Sequence, residues 1–358
     1  MKRGPSRFAR RWLPRGRGVS LSAKRPLALV LGCAGPRLLP EEKAFFRDAD
    51  PFGFILFRRN VETPEQVRAL VADLRDSVGR HAPVLIDQEG GRVARLRPPH
   101  WPELPAAARI GALGDDAPHA AWLHGRLLAA MLSDLGIDVD CAPVADVPVP
   151  GAHDVIGDRA FAGDPARVAL LAAAQAKGLL DGGVLPVVKH VPGHGRAFAD
   201  SHLELPVVTT PLAELDAWDF TPFKALAGLP LAMVAHVVYT AIDPDRPASV
   251  SPQVIGRIVR DAIGFDGLLF SDDLSMQALS GSVGDRTAAV LAAGCDIALH
   301  CNGKMDEMRD AVAHAAPLTA VADRRWARAQ GERRPIPPAE EATALRAALA
   351  DMLTGRMA

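Results

Sequence analysis

The sequence predicts a single (β/α)8 barrel of the TIM type, a fold of the α/β class, and two observations support this prediction. Short, nearly continuous apolar runs alternate with amphipathic stretches along the chain, as expected for parallel strands that are covered on both faces. Eight such runs can be counted, which is the number of strands that closes one barrel. The predicted strands are residues 27–31, 53–57, 83–86, 139–143, 185–189, 232–238, 267–271 and 296–300.

The apolar run from Pro26 to Cys33 has two interpretations. Basic residues followed by Leu-Gly-Cys resemble a lipoprotein signal, although the run is at the short limit for a signal core and no polar spacer follows it. We interpret it as the first buried strand, followed by a turn at Gly35-Pro36 and a helix from Pro40. No apolar run approaches the roughly 20 residues that a membrane helix needs. We therefore expect no membrane as a partner.

A helix is predicted between the second and third strands. Thr63 is suited to cap it, and Pro64 and Glu65 are favoured in the first turn. Four apolar residues then fall on one helical face. These residues are Val67, Leu70, Val71 and Leu74.

Four segments are expected along the chain. Residues 1–24 are predicted to be a basic, disordered tail, and residues 25–322 the (β/α)8 barrel. Residues 323–338 are predicted to be a polar linker, and residues 339–358 a C-terminal helix that packs on the barrel. A translation start placed too early, or a weak contact with an anion, are alternatives for the tail.

Charge and cysteine content limit the partners and the compartment. Residues 1–25 hold nine of the 41 Lys and Arg and none of the 42 Asp and Glu, so the remainder carries 32 basic against 42 acidic residues, a net charge of −10. An acidic body argues against nucleic acid as a partner. The four cysteines lack metal-type spacing, and we expect them to be buried thiols in a cytoplasmic protein.

Chemistry in a barrel lies beyond the C-terminal ends of its strands. The third strand ends at Asp87, which can accept hydrogen bonds from sugar-like hydroxyls, and Gly90-Gly91 can let the backbone approach a ligand. A structural ion pair with a nearby arginine is the alternative for Asp87. Beyond the fourth strand, Arg159 offers a planar fork for vicinal oxygens, and a surface salt bridge explains it equally well.

The fifth strand ends in Lys189-His190-Val-Pro-Gly-His194-Gly, the most informative stretch of the chain. Lys189 could form an imine with a carbonyl substrate, as in barrel aldolases. Because His190 would point the other way along a strand, the pair fits hydrogen-bond donors on either side of a bend better. His190 and His194 could hold zinc on a helix, but Pro192 and Gly193 interrupt any helix there.

Two further groups of residues have the composition of proton-transfer or nucleophilic sites. Asp200 lies two positions before His202, where a carboxylate can hold an imidazole in one tautomer; a solvated loop pair is the alternative. The seventh strand ends in Asp272-Asp273, and alternation lets one acid face the barrel axis while the other caps the following helix. The inward acid is a candidate nucleophile, although both could be helix caps.

Three motifs together resemble the signatures of glycoside hydrolase family 3, more narrowly its bacterial β-N-acetylglucosaminidase branch. They are Asp87-Gln-Glu-Gly-Gly-Arg-Val, Lys189-His-Val-Pro-Gly-His-Gly with Asp200-Ser-His202, and Phe270-Ser-Asp-Asp-Leu-Ser-Met276. The resemblance covers residues 26–302. It implies that Asp272 is the nucleophile and that His202 is the acid/base, with Asp200 as its partner. The implied sugar-binding residues are Asp87, Arg95, Arg159, Lys189 and His190.

The resemblance also implies an activity. It implies a retaining enzyme that removes terminal GlcNAc from GlcNAc-1,6-anhydro-N-acetylmuramic acid and its peptides during cell-wall recycling in the cytoplasm. We expect a monomer with no cofactor and no metal, and a structural role for His194. A phosphorylase or β-glucosidase of the same family, a Schiff-base aldolase using Lys189, a metallohydrolase and a non-catalytic sugar-binding protein are the alternatives. The chain departs from the family pattern at Gln88, at Val191 and at Arg196-Ala-Phe-Ala.

Overall fold

The computed structural model describes residues 25–197, 205–334 and 340–355. Within them, eight parallel strands form a closed barrel, which confirms the predicted fold. The barrel strands are β1 (Leu27–Leu31), β2 (Pro51–Leu56), β3 (Val84–Ile86), β4 (Val139–Asp140), β5 (Leu185–Val191), β7 (Leu231–Val234), β9 (Leu268–Asp273) and β10 (Ile297–His300). Two short strands form a separate parallel sheet, namely β6 (Val207–Val208) and β8 (Val238–Tyr239).

Around the barrel the strands follow the order β1-β10-β9-β7-β5-β4-β3-β2. The ring is closed because β1 pairs with β10 on one side and with β2 on the other. Leu29 pairs with Ala298 of β10, and Val30 pairs with Gly53 of β2. The predicted strands at 139–143 and 232–238 were too long, because β4 ends at Asp140 and β7 ends at Val234. The run from Pro26 to Cys33 contains β1, as interpreted from its apolar character.

Helices surround the described barrel. They are α1 (Pro40–Ala49), α2 (Pro64–Val78), α3 (Ala107–Gly111), α4 (Ala117–Asp134), α5 (Pro165–Asp181), α6 (Leu212–Ala217), α7 (Thr221–Ala225), α8 (Val283–Ala293), α9 (Met305–His314), α10 (Ala320–Glu332) and α11 (Glu340–Thr354). Residues Val254–Ala262 form a π-helix, and single 3₁₀ turns cover Arg58–Asn60, Gly114–Asp116, Gly157–Arg159 and Ala248–Val250. No helix in the described part of the chain is long and apolar enough to cross a membrane.

The predicted N-terminal signals of α2 are present. The Thr63 hydroxyl accepts a hydrogen bond from the backbone N–H of Gln66, and Pro64 occupies the first helical position. The four predicted apolar residues of this helix are buried. The side chains therefore place the helix against the barrel as the sequence pattern indicates.

Alternation along the strands divides the core into two layers. Val30 belongs to the apolar cluster inside the barrel, whereas its neighbours Leu29 and Leu31 belong to the cluster between strands and helices. All four cysteines are buried free thiols, as predicted. Two of them, Cys141 and Cys301, lie in the inner cluster.

The predicted polar linker at 323–338 is corrected by α10, which occupies residues 320–332. One face of this helix closes the N-terminal end of the barrel: Ala322 and Ala329 are buried with the inner cluster. The Trp326 ring lies edge-on to Phe52, with centroids 5.0 Å apart. Polar composition misled the prediction because the opposite face of the helix is solvated. Residues 1–24 and 335–339 lie outside the described residues, and α11 packs against α4.

Candidate active site

A pocket of about 210 Å³ opens at the C-terminal end of the barrel, and we call it the main pocket. Six of the predicted site residues line it: Asp87, Arg95, Arg159, Lys189, His190 and Asp272. The other two, Asp200 and His202, lie outside the described residues. Apolar side chains complete the wall, among them Ile55, Phe57, Val93, Val155, Ile156, Met233, Met276 and Leu299.

Lys189 stands at the centre of a buried charge network. Its ammonium lies 2.8 Å from Asp87 Oδ1 and 2.7 Å from Glu89 Oε1, and its side chain is 2% exposed. Arg159 donates two hydrogen bonds of 2.8 Å to the two oxygens of Glu89. Arg95 donates to Asp87 Oδ2 over 3.0 Å. Three cations and two carboxylates therefore hold one another in fixed positions.

The network keeps Lys189 and Glu89 ionised. Burial alone would lower the pKa of Lys189, but Asp87 and Glu89 outweigh it and raise that pKa above its usual range. Burial alone would raise the pKa of Glu89, but Arg159 and Lys189 lower it to about 2. An imine-forming lysine needs an unprotonated amine. The aldolase interpretation of Lys189 is therefore disfavoured.

Lys189 and His190 face the same pocket, contrary to the expectation that they point in opposite directions. The pairing of β5 with β7 shifts register between Lys189 and Val191, which interrupts strict alternation. His190 Nδ1 lies 2.7 Å from Asp146 Oδ2. Burial would raise the pKa of Asp146, but His190 and His194 lower it to about 2, so the carboxylate accepts and Nδ1–H donates.

His194 is buried beside this pair. Its backbone N–H donates to Asp146 Oδ1 over 2.7 Å, and its ring meets the His190 ring edge-on at 5.7 Å. Burial, with the neighbouring His190, lowers the pKa of His194 to about 4, so the ring is neutral near pH 7. Among the described residues, no three His, Cys, Asp or Glu side chains are grouped to hold a metal ion.

The two acids that end β9 have different surroundings. Both acids line the main pocket, and Asp272 is 7% exposed. Burial would raise its pKa, but His190 and His236 outweigh burial and lower it. Asp273 accepts hydrogen bonds from the backbone N–H groups of Ser275 and Cys301. It therefore caps a turn, and not the following helix as predicted, since α8 begins only at Val283.

The role expected for the paired glycines also changes. Both have positive φ, 95° at Gly90 and 55° at Gly91. A Cβ on Gly90 would lie 2.4 Å from the Pro105 carbonyl oxygen, and one on Gly91 would lie 2.6 Å from Ala106 Cβ. The glycines make room for a neighbouring loop, not for a ligand.

Sequence reasoning missed three residues that build the site. Glu89 and Asp146 are the buried anions that hold Lys189, Arg159 and His190. Gln88 accepts from the N–H groups of Arg95 (2.8 Å) and Leu96 (3.0 Å), which fixes the segment that carries Arg95. Glu89 and Gln88 lie inside the motif that marked Asp87. No local pattern marks Asp146, because its partners come from another strand.

An ionised carboxylate facing fixed hydrogen-bonding groups in a barrel mouth is typical of enzymes that act on hydroxylated substrates. This chain belongs to glycosyl hydrolase family 3: the model of the family's N-terminal domain matches residues 37–328. The chain is 41% identical to the β-hexosaminidase of Alkalilimnicola ehrlichii over 318 residues. This match covers 86% of the chain and 89% of that protein.

Further similarity comes from a second relative and from a solved structure. The chain is 43% identical over 272 residues to the β-hexosaminidase of Methylococcus capsulatus, covering 75% of this chain and 80% of that protein. The crystal structure of NagZ from Neisseria gonorrhoeae in complex with N-trifluoroacetyl-D-glucosamine has a TM-score of 0.82 at 35% identity. That similarity covers 93% of this chain and 99% of the gonococcal chain.

Proposed function

We propose that this protein is a retaining β-N-acetylglucosaminidase that removes a terminal, non-reducing GlcNAc residue. The observation that carries the proposal is the buried, ionised Asp272 in a pocket whose other walls present Asp87, Lys189 and Arg159. A retaining glycosidase needs a carboxylate beneath the anomeric carbon. A pocket of about 210 Å³ suits one terminal sugar better than a long polysaccharide.

In the first half-reaction, an Asp272 oxygen attacks the anomeric carbon, and the bond from that carbon to the leaving oxygen breaks. The imidazolium of His202, aligned by Asp200, gives its proton to the leaving oxygen. In the second half-reaction, neutral His202 takes a proton from water as the water oxygen displaces Asp272. The low pKa of Asp272 keeps it a nucleophile near pH 7.

The other site residues bind and orient the sugar. We assign Asp87, Arg95, Arg159, Lys189 and His190 to its hydroxyl and acetamido groups. Arg95 supports this role because its buried Nε has no hydrogen-bond partner among the described residues, so a donor remains for a ligand. Because mutual ion pairs hold these side chains in fixed positions, binding costs little reorganisation.

The natural substrate that we propose is GlcNAc-1,6-anhydro-N-acetylmuramic acid, with or without its peptide, during cell-wall recycling. We propose a monomer that works in the cytoplasm. Size-exclusion chromatography with light scattering tests the monomer. Fractionation of the native host tests the location, and recovery in the membrane fraction would contradict it.

Trapping identifies the nucleophile. A slow 5-fluoro GlcNAc donor, which keeps the 2-acetamido group, is expected to label Asp272, as read by peptide mass spectrometry, and Asp272→Ala is expected to lose both the label and hydrolysis of nitrophenyl β-GlcNAc. A label on Asp273 or Lys189 would contradict the assignment of Asp272 as the nucleophile. Chelator is expected to leave the rate unchanged, and added phosphate is expected not to increase it, which separates hydrolysis from the metallohydrolase and phosphorylase alternatives.

Comparison of two leaving groups tests His202. We expect His202→Ala to lower kcat/KM for the disaccharide substrate about 10²- to 10⁴-fold, the usual contribution of general acid catalysis. The loss with nitrophenyl β-GlcNAc should be smaller, because nitrophenolate leaves without needing a proton. Equal losses on the two substrates would contradict an acid role.

A further inference from the structure

A second cavity lies beside the main pocket, formed by the loops after β9 and β10 and by the starts of α8 and α9. Its volume is about 450 Å³. The residues that line it include Ser275, Gln277, Arg286, Asn302, Lys304 and Asp306. None of these residues lines the main pocket.

The two cavities are neighbours along two loops. Met276 and Cys301 line the main pocket, whereas their chain neighbours Ser275, Gln277 and Asn302 line the second cavity. The turn after β9 and the residue after β10 therefore form the wall between them. A substrate that extends over this turn from the main pocket enters the second cavity.

The direction in which a substrate extends follows from the barrel. Asp87 follows β3 and Asp272 lies on β9, and these two strands are four positions apart in the ring of eight, on opposite sides. In a pyranose, the 4-hydroxyl lies across the ring from the anomeric carbon. If the sugar binds with its 4-hydroxyl at Asp87 and its anomeric carbon above Asp272, as proposed, an equatorial leaving group points away from Asp87, to the side of the barrel mouth that carries β9 and the second cavity.

The second cavity offers charges of both signs. Lys304 and Arg286 supply the cations, and Asp306 and Glu307 supply the anions. Lys304 Nζ lies 3.0 Å from Glu307 Oε1, and its side chain is 69% exposed. Burial would raise the pKa of Glu307, but hydrogen bonds from His300 and its neighbours lower it to about 2, so it remains an anion. Such a lining fits a ligand that carries both carboxylates and an ammonium group.

We propose that the second cavity binds the peptide carried by the leaving sugar, a short chain with free carboxylates and a free amine. This inference rests on the proposed function, because it takes the position of the sugar from it. The cavity contributes binding energy only to substrates that carry the peptide, and it makes the enzyme prefer them over the bare disaccharide.

Charge reversal at Lys304 tests the proposal. The enzyme is assayed on nitrophenyl β-GlcNAc, on GlcNAc-1,6-anhydro-N-acetylmuramic acid, and on the same disaccharide with a peptide bearing two carboxylates and one amine. Lys304→Glu is expected to lower kcat/KM about three- to tenfold on the third substrate alone, mainly through KM, in line with a solvent-exposed ionic contact. Lys177→Glu is the matched control, since Lys177 is 67% exposed and also pairs with an acid on its own helix.

The possible results distinguish a failure of the second-cavity inference from a failure of the proposed function. No change on the peptide-bearing substrate overturns the second-cavity inference, and so does an equal loss on the bare disaccharide, which would place the leaving sugar there instead. An equal loss on all three substrates, or with Lys177→Glu, means a general effect and also overturns it. If wild-type enzyme fails to hydrolyse nitrophenyl β-GlcNAc, the proposed function itself fails. Thermal melting confirms that both variants are folded.

Discussion

Among single residues, Glu89 has the widest influence on the main pocket, because its two oxygens hold Arg159 and Lys189 together. We predict that Glu89→Gln lowers kcat/KM about 10- to 100-fold, the value of a charge-assisted hydrogen bond. The amide presents an N–H group to one of the two cations, which then loses its acceptor. Initial-rate kinetics on nitrophenyl β-GlcNAc measure the effect.

The same substitution is expected to lower the free energy of unfolding by about 3 kcal/mol, because it leaves a buried cation incompletely paired. The matched control is Glu62→Gln, since Glu62 pairs with Arg37 at 3.5 Å on the surface. That control is expected to change stability by less than about 1 kcal/mol. If the two substitutions lowered the free energy of unfolding equally, the ion pairs of Glu89 would contribute no more to stability than an exposed ion pair does.

Residue by residue, the sequence predicted the side chains that end strands and missed those that support them. Asp87, Lys189 and Asp272 could be found because each follows an apolar run, and the end of a barrel strand points to the mouth. Asp146 could not be found, because the contact that gives it a role joins it to His190, 44 positions away. The two residues meet only because their strands are neighbours in the barrel, and no local sequence pattern indicates that order.

Among the elements, α10 seals the barrel end opposite to the site. Three of its features do so: the buried alanine face, Trp326 against Phe52, and the ion pair of Arg325 with Asp296 at 3.0 Å. We predict that Trp326→Ala lowers the free energy of unfolding by about 2 kcal/mol, because the ring is half-buried. Urea denaturation measures this loss, and kcat/KM should remain unchanged.

Trp218→Ala serves as the control for that prediction, since Trp218 is 38% exposed and lies outside the inner cluster. A loss of activity in Trp326→Ala without a loss of stability would contradict a purely structural role for α10.

The contrast between α2 and α10 shows which features of a helix can be predicted from its sequence. Thr63 and Pro64 mark the start of α2 by local hydrogen bonding and fixed backbone geometry, so its start was predictable. The start of α10 also has a capping residue, Thr319. Its buried face consists of small alanines among arginines, however, so hydrophobicity gave no periodic signal. The arginines pair with aspartates at the starts of distant strands, and only the closed barrel brings these together.

The protein as a whole contains buried histidines whose titration couples folding to pH. Burial lowers the pKa of His124 to about 4, and burial with the neighbouring His190 does the same at His194. The unfolded chain binds a proton on each near the ordinary pKa of about 6.5, whereas the native protein does not until about pH 4. Unfolding in this interval therefore takes up protons, and stability falls as the pH is lowered.

Asp219 acts in the opposite direction over part of the same interval. Burial outweighs its hydrogen bond with Arg196 and raises its pKa to about 6, so the native protein binds this proton before the unfolded chain does. The native state therefore gains stability from Asp219 as the pH falls through 6. The contribution of these three groups alone is a net loss on the order of 3 kcal/mol between pH 7 and pH 4. Asp140, whose pKa burial raises, acts in the same direction as Asp219.

Urea denaturation at a series of pH values tests this prediction directly. Between pH 7 and pH 4, the free energy of unfolding of His124→Leu should fall less steeply with decreasing pH than that of the wild type, because one proton-binding site that appears on unfolding is removed. His81→Gln is the control, since His81 lies exposed on the surface. Equal pH dependence in His124→Leu and the wild type would mean that His124 is already charged in the native protein.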